Sequence, residues 1–165
     1  RVAPPVVLAL EALGRDRLQQ WRHCAVTRVK GKQAVPVVRD HKLPAARGQT
    51  QVYAYYFSRR PPYAEGSIQQ AWGAGHFVEL WYMFDHLDQQ PWPWADADRR
   101  LADAMTSYWA GCARDGGPNR DGRPFWPAFV AGEERVLVLD EDIVAGVLPN
   151  NAALDVFDEV YGSIR

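Results

Sequence analysis

The chain has 165 residues, 47% of them hydrophobic and 24% charged, with a formal net charge of −1; that is about one domain's worth of polypeptide with enough apolar matter for a core. The near-balanced charge argues against a nucleic-acid-binding domain. No apolar run approaches the roughly 20 residues needed to span a bilayer, so neither nucleic acid nor membrane is expected as a partner.

In chain order, residues 4–21 read as a helix. Pro4 and Pro5 suit its first turn, and Val6, Val7, Leu10, Leu13, Leu18 and Trp21 fall at roughly helical spacing. Pro4, Pro5 and Glu11 do not suit a signal peptide. Residues 22–47 carry all three lysines of the chain, with Arg22, Arg28, Arg39 and Arg47 against the single acid Asp40. Without interleaved aromatics or a binding motif, this stretch reads as a solvated, poorly ordered connection, with at most a short edge strand at 35–38. Residues 51–57, Val52-Tyr53-Ala54-Tyr55-Tyr56-Phe57 after Gln51, mix β-branched, aromatic and small residues and predict an interior strand. The Arg59-Arg60-Pro61-Pro62 run ends it.

A loop with three glycines then leads to His76, and residues 79–84 predict a short buried helix or turn. Residues 88–94 form a proline-broken surface loop. The next element is the clearest: Asp96 or Asp98 caps a helix whose apolar stripe is Leu101, Met105, Tyr108, Trp109 and Cys112. Asp115-Gly116-Gly117-Pro118 stops it. Cys112 on that stripe reads as a buried free thiol, although Cys24 leaves one bridge open. Phe125 to Phe129 reads as an aromatic loop over the core, residues 135–139 as a short strand, and Leu154 to Ile164 as a closing helix.

Four landmarks carry a resemblance. They are Val52-Tyr53-Ala54-Tyr55-Tyr56-Phe57; Gly75-His76-Phe77-Val78-Glu79-Leu80-Trp81-Tyr82-Met83-Phe84; Leu101 to Asn119 with Met105, Tyr108-Trp109 and Gly116-Gly117-Pro118-Asn119; and Pro124-Phe125-Trp126-Pro127-Ala128-Phe129. In this order and spacing, from about residue 44 to about residue 140, the chain resembles the C-terminal part of the type-B carboxylesterases. That α/β-hydrolase family also contains the cholinesterases. The resemblance implies an α/β fold: the C-terminal part of an α/β-hydrolase, with few strands, covering helices and an incomplete sheet. It implies a single partial domain, in which 1–47 is a poorly matched helix plus basic connection and 48–165 the family's segment. Phe77 departs from the family's small residue, Asp85-His86 from its glycine turn, and Gly117 from its aspartate.

The resemblance makes His76 the triad histidine of a serine carboxylic ester hydrolase acting on small-molecule esters without metal or cofactor. Glu79 would be a buried carboxylate near it, electrostatic or structural in role. In this fold class the triad follows the order nucleophile, acid, histidine. Upstream of His76 the serines are Ser58 and Ser67, neither in a Gly-x-Ser-x-Gly elbow, and the acids are Glu11, Asp16, Asp40 and Glu65. The chain alone is therefore expected to be inactive. Strand 51–57 would also lose a parallel neighbour, which predicts an unpaired apolar edge and self-association. Three alternatives belong to other classes: a non-catalytic cholinesterase-like interaction module, a metal site of His76, Glu79 and His86 with His41 or His23, and a basic-loop binder of nucleic acid. The metal spacing matches no recognised motif. Family members are often secreted or periplasmic and also cytoplasmic in bacteria, so localisation stays open.

Overall fold

The computed structural model describes residues 24–29, 51–75, 77–130 and 133–149. The helices expected at 4–21 and 154–164, the strand at 35–38, and the candidate residues His23, His41 and His76 lie outside that set.

The described elements are β1 (Cys24–Val29), β2 (Gln51–Phe57), α1 (Glu79–Met83), α2 (Asp96–Asp115), β3 (Arg135–Leu139) and β4 (Ile143–Val147). Short 3-10 turns occupy Ile68–Trp72 and Leu87–Gln89. The strands form one sheet in the order β1-β2-β3-β4. β1 and β2 are parallel, with Ala25 opposite Val52 and Val29 opposite Tyr56. β2 and β3 are parallel from Tyr55 opposite Leu137 to Phe57 opposite Leu139, and β4 returns antiparallel to β3.

Two expectations are overturned here. Residues 24–29 are a strand, not part of a poorly ordered connection. β2 consequently has parallel neighbours on both sides, so it leaves no unpaired apolar edge. Ala25, Val26, Thr27 and Val29 supply the β-branched and small residues a strand needs, and the flanking lysines and arginines mask that signal. β4 was not anticipated either. Its burial does not alternate cleanly, and Val144 and Val147 are exposed.

The interior strand is as expected: Val52 to Tyr55 and Phe57 are buried. Because β3 pairs only with residues 55–57, the first half of β2 finds other partners on that side. The Phe129 N–H donates to the Val52 carbonyl at 2.7 Å. The Trp126 indole Nε1 donates to the Ala54 carbonyl at 2.9 Å. The aromatic loop thus continues the edge that β3 leaves open, satisfying backbone acceptors in a dry interior.

α2 covers this sheet with the predicted stripe. Leu101, Met105, Tyr108 and Cys112 are buried with Tyr53, Tyr55, Phe57 and Trp126 in one cluster, and Trp109 packs against it. Gly116 ends the helix at φ 74, in the left-handed region glycine enters without strain. Burial pushes the Tyr108 phenol up to about 12, partly opposed by Arg123, while its hydroxyl donates to the Pro124 carbonyl at 2.7 Å.

Cys112 corrects a further expectation: it is disulfide-bonded, and no described cysteine is free. The chain's other cysteine is Cys24. A half-cystine is as apolar and as buried as a thiol, so a place on an apolar stripe cannot separate the two.

Candidate active site

β2 ends at Phe57, and the chain leaves its C-terminal end on the way to α1. This is the end of a parallel sheet where open α/β folds keep their binding and catalytic loops. Two contacts fix the exit. The Ser58 N–H donates to the Leu139 carbonyl at 3.1 Å, and the Ser58 Oγ donates to Asp140 Oδ2 at 2.5 Å. Ser58 thus ties the end of β2 to the end of β3, with its hydroxyl proton directed at a carboxylate rather than at an imidazole.

Beyond Pro61-Pro62 the loop folds over an aromatic cluster. Buried Tyr63 donates to the Gly73 carbonyl at 3.0 Å. Its ring lies edge-on to Trp92 and Trp72, at 4.9 Å and 6.3 Å between centroids. Trp92 in turn meets Trp81 and Trp94. The 3-10 turn at Ile68–Trp72 buries none of its residues. Gly73 takes φ 57, and a side chain at Gly75 would press on the Trp72 carbonyl at 3.2 Å. Backbone conformation at Gly73 and the close Trp72 carbonyl at Gly75 therefore favour glycine on the approach to residue 76. The Ser67 hydroxyl is buried without a hydrogen-bond partner among the described groups, and Glu65 is exposed.

His76 itself lies outside the described residues, between Gly75 and Phe77. Phe77 stands at φ 67 with its side chain 60% exposed. The ring points largely to solvent, and the backbone explains why a small residue is the usual choice there. Asp85 makes the same point after the helix. It takes φ 51 where the family's glycine turn would stand, and aspartate is among the residues that tolerate this region. Ile68, Trp72 and Phe77 together present exposed apolar surface along the segments flanking residue 76.

Glu79 opens α1 and is buried, at 6% exposure. Of the candidate metal ligands, Glu79 and His86 are described. No group of three His, Cys, Asp or Glu side chains able to hold a metal occurs among the described residues.

The strongest polar cluster was not singled out in the sequence. Asp98, in the first turn of α2, is fully buried. Its Oδ2 accepts the Ala95 N–H at 2.9 Å, which is the helix-capping bond expected of it. Its Oδ1 accepts Arg59 Nε at 2.7 Å and the Tyr82 hydroxyl at 3.0 Å. Burial alone would push the Asp98 carboxyl up. The bonds from Arg59, Ala95 and Tyr82 and the Arg59 charge reverse that and hold it below the usual range. The bond to Asp98 raises the already high Arg59 value further. Burial first, then the Asp98 charge, pushes the Tyr82 phenol well up. All three groups keep their ordinary charge state at neutral pH. The only sequence signal was an acid ahead of an apolar stripe, and nothing in it named partners 39 residues upstream and 16 residues upstream.

Residues 25–156 match the model of the carboxylesterase family, so the match takes in β1 from Ala25 onward. The pyrethroid hydrolase Ces2e of Rattus norvegicus is 32% identical over 101 residues, 61% of this chain and 18% of that protein. The phenmedipham hydrolase of Pseudarthrobacter oxydans is 30% identical over 99 residues, 55% of this chain and 19% of that protein. The chain thus spans about a fifth of the length of these relatives. The solved structure of a thermophilic PNB esterase superposes with a TM-score of 0.56 at 23% identity, covering 67% of this chain and 23% of that one. That likeness shows the fold: the four-stranded sheet and its helices are part of an α/β-hydrolase, as the sequence implied. By the match over residues 25–156, the chain belongs to the carboxylesterase family.

Proposed function

We propose that this chain supplies the histidine of a serine carboxylic ester hydrolase, with His76 as general base and then general acid, and that its serine and acid partners are not among these 165 residues. The observation that carries the reading is the family match over a segment in which Gly75-His76 follows an interior strand in the sequence and precedes the short helix that buried Glu79 opens. In this role the imidazole takes the proton from a serine hydroxyl as that oxygen attacks the ester carbonyl. It then returns the proton to the leaving alcohol. A near-neutral pKa lets one group do both. Glu79 is the buried carboxylate that would favour the imidazolium as it forms. The relatives named for pyrethroids and phenmedipham support small-molecule esters as the substrate class.

Ser58 is not proposed as nucleophile, because its Oγ proton is committed to Asp140. A fluorophosphonate probe incubated with this chain should label no serine, and an activated ester should turn over no faster than in buffer. Stoichiometric labelling of Ser58 or Ser67 together with turnover would overturn the proposal that the nucleophile lies elsewhere.

A further inference from the structure

α2 carries a second stripe. Asp103, Ser107, Ala110 and Arg114 fall at i, i+4, i+7 and i+11, on the side away from the apolar stripe of Leu101, Met105, Tyr108 and Cys112. After Gly116 the chain returns along that side. Arg120 reaches Asp115 in the last turn of the helix, and Arg123 Nη2 reaches back to Asp103 Oδ2 at 2.7 Å. A cleft of about 240 Å³ lies between helix and return, lined by Asp103, Ser107, Arg114, Arg120 and Arg123 among others.

The return is anchored, so its arginines are held in place. Pro118 is fully buried, Asn119 grips the Trp126 backbone at 2.7 and 2.9 Å, and the Tyr108 hydroxyl donates to the Pro124 carbonyl at 2.7 Å. Between these anchors the Arg123 N–H donates to the Arg120 carbonyl at 3.3 Å, across a turn in which Gly122 takes φ 75. Arg120 Nη1 donates to the Asn119 carbonyl at 2.7 Å. A Cβ at Gly111 would stand 2.7 Å from Arg120 Nη2, so glycine there lets the guanidinium lie against the helix.

Charge in the cleft is unbalanced. Asp115 Oδ2 accepts from both Arg114 and Arg120, and Asp103 takes Arg123. Three guanidiniums thus share two carboxylates, in a chain whose formal net charge is −1. The Arg120 and Arg123 side chains are 26% and 28% exposed, whereas Asp115 and Asp103 are 46% and 68% exposed. The cations sit deeper than their partners, and ion pairs with such exposed acids are weak. The Nε and Nη1 of Arg123 donate to nothing among the described residues.

We propose that this cleft binds a small oxyanion, a carboxylate or phosphate group, through Arg120 and Arg123, with Arg114 and the Ser107 hydroxyl at its margin. The planar guanidinium matches both groups. The volume is below the ~300–1,000 Å³ of pockets that enclose drug-sized ligands, which suits the group alone or on a short chain. None of the lining residues belongs to the loop around residue 76 or to the Arg59–Asp98–Tyr82 cluster, so binding here does not depend on the triad reading.

The test is a titration of the full chain at neutral pH with sodium phosphate and with sodium succinate, sodium chloride holding the ionic strength constant. Amide and arginine Nε–H chemical shifts are followed by NMR. At least one anion should give saturable shifts concentrated in residues 103–114 and 117–124, and the tighter of the two names the head group. Arg120→Gln and Arg123→Gln should each weaken that binding by about tenfold. Arg100→Gln removes an exposed guanidinium of the same helix outside the cleft and should change it by less than about twofold. No saturable shift with either anion would overturn the proposal. So would equal weakening by Arg100→Gln and Arg123→Gln, the result expected of bulk charge on a solvated face.

Discussion

The Trp126 indole N–H donates to the carbonyl of Ala54 across 2.9 Å, in the fully buried centre of the core. The side chain does the work of a strand at a place where β3 has not yet begun. Asn119 fixes it from both sides of its own backbone, accepting from the Trp126 N–H at 2.7 Å and donating to the Trp126 carbonyl at 2.9 Å. The ring packs edge-on against Tyr53, Tyr55 and Tyr108. Trp126→Phe keeps much of this packing and strands the Ala54 acceptor, so it should lower stability by about 2 kcal/mol. Trp126→Ala should cost about 4 kcal/mol. Urea unfolding reads both. Equal costs would mean that the hydrogen bond contributes nothing beyond volume.

Arg59 and Asp98 give a prediction with a pH sign. Asp98→Asn leaves the Arg59 guanidinium with only the exposed Glu141, at 3.5 Å, as counter-charge at a site where Asp98 is fully buried. Breaking such a pair from one side should cost about 3 kcal/mol at neutral pH. The folded Asp98 carboxyl is held below its ordinary value, so the unfolded chain takes up the proton first on acidification. Its contribution is therefore fully present above about pH 4 and is lost as pH falls through the lower folded value. The gap in urea midpoint between wild type and Asp98→Asn should narrow below pH 4. A gap constant from pH 7 to pH 3 would show that the carboxylate charge is not what stabilises the fold.

Phe77 predicts a gain. It holds φ 67 with most of its side chain in solvent, a conformation costing about 1–2 kcal/mol for a residue with a Cβ. Phe77→Gly removes that strain at the expense of extra freedom in the unfolded chain, for a net gain of about 0.5 kcal/mol. Phe77→Ala keeps the strain and should give none. Matched losses for glycine and alanine would contradict the strain argument.

What the sequence disclosed, and what it hid, follow from the range of each signal. β2, β3 and α2 were legible because their patterns lie within a few residues. Tyr53 to Phe57 read as an interior strand, and Leu101 to Cys112 formed one helical stripe. β1 was hidden because Lys30, Lys32 and the nearby arginines dominate its neighbourhood, although Ala25 to Val29 are ordinary strand residues. β4 was hidden because neither of its faces is fully buried. At the site, Glu79 was legible as a buried carboxylate beside the histidine motif. The Arg59–Asp98–Tyr82 cluster was not, because its partners lie far apart in the chain. Cys112 illustrates the same limit: its place on the helix was visible and its covalent partnership was not.

The role of His76 can be measured in a hybrid enzyme. Residues 51–149 can replace the corresponding segment of the thermophilic PNB esterase, which shares this fold, and the hybrid can be assayed on an activated carboxylic ester. The folded hybrid should turn over, and His76→Ala should lower its kcat by about 10⁴-fold or more, the scale of removing a triad base. A folded hybrid without activity, or one whose kcat survives His76→Ala within threefold, would contradict that role.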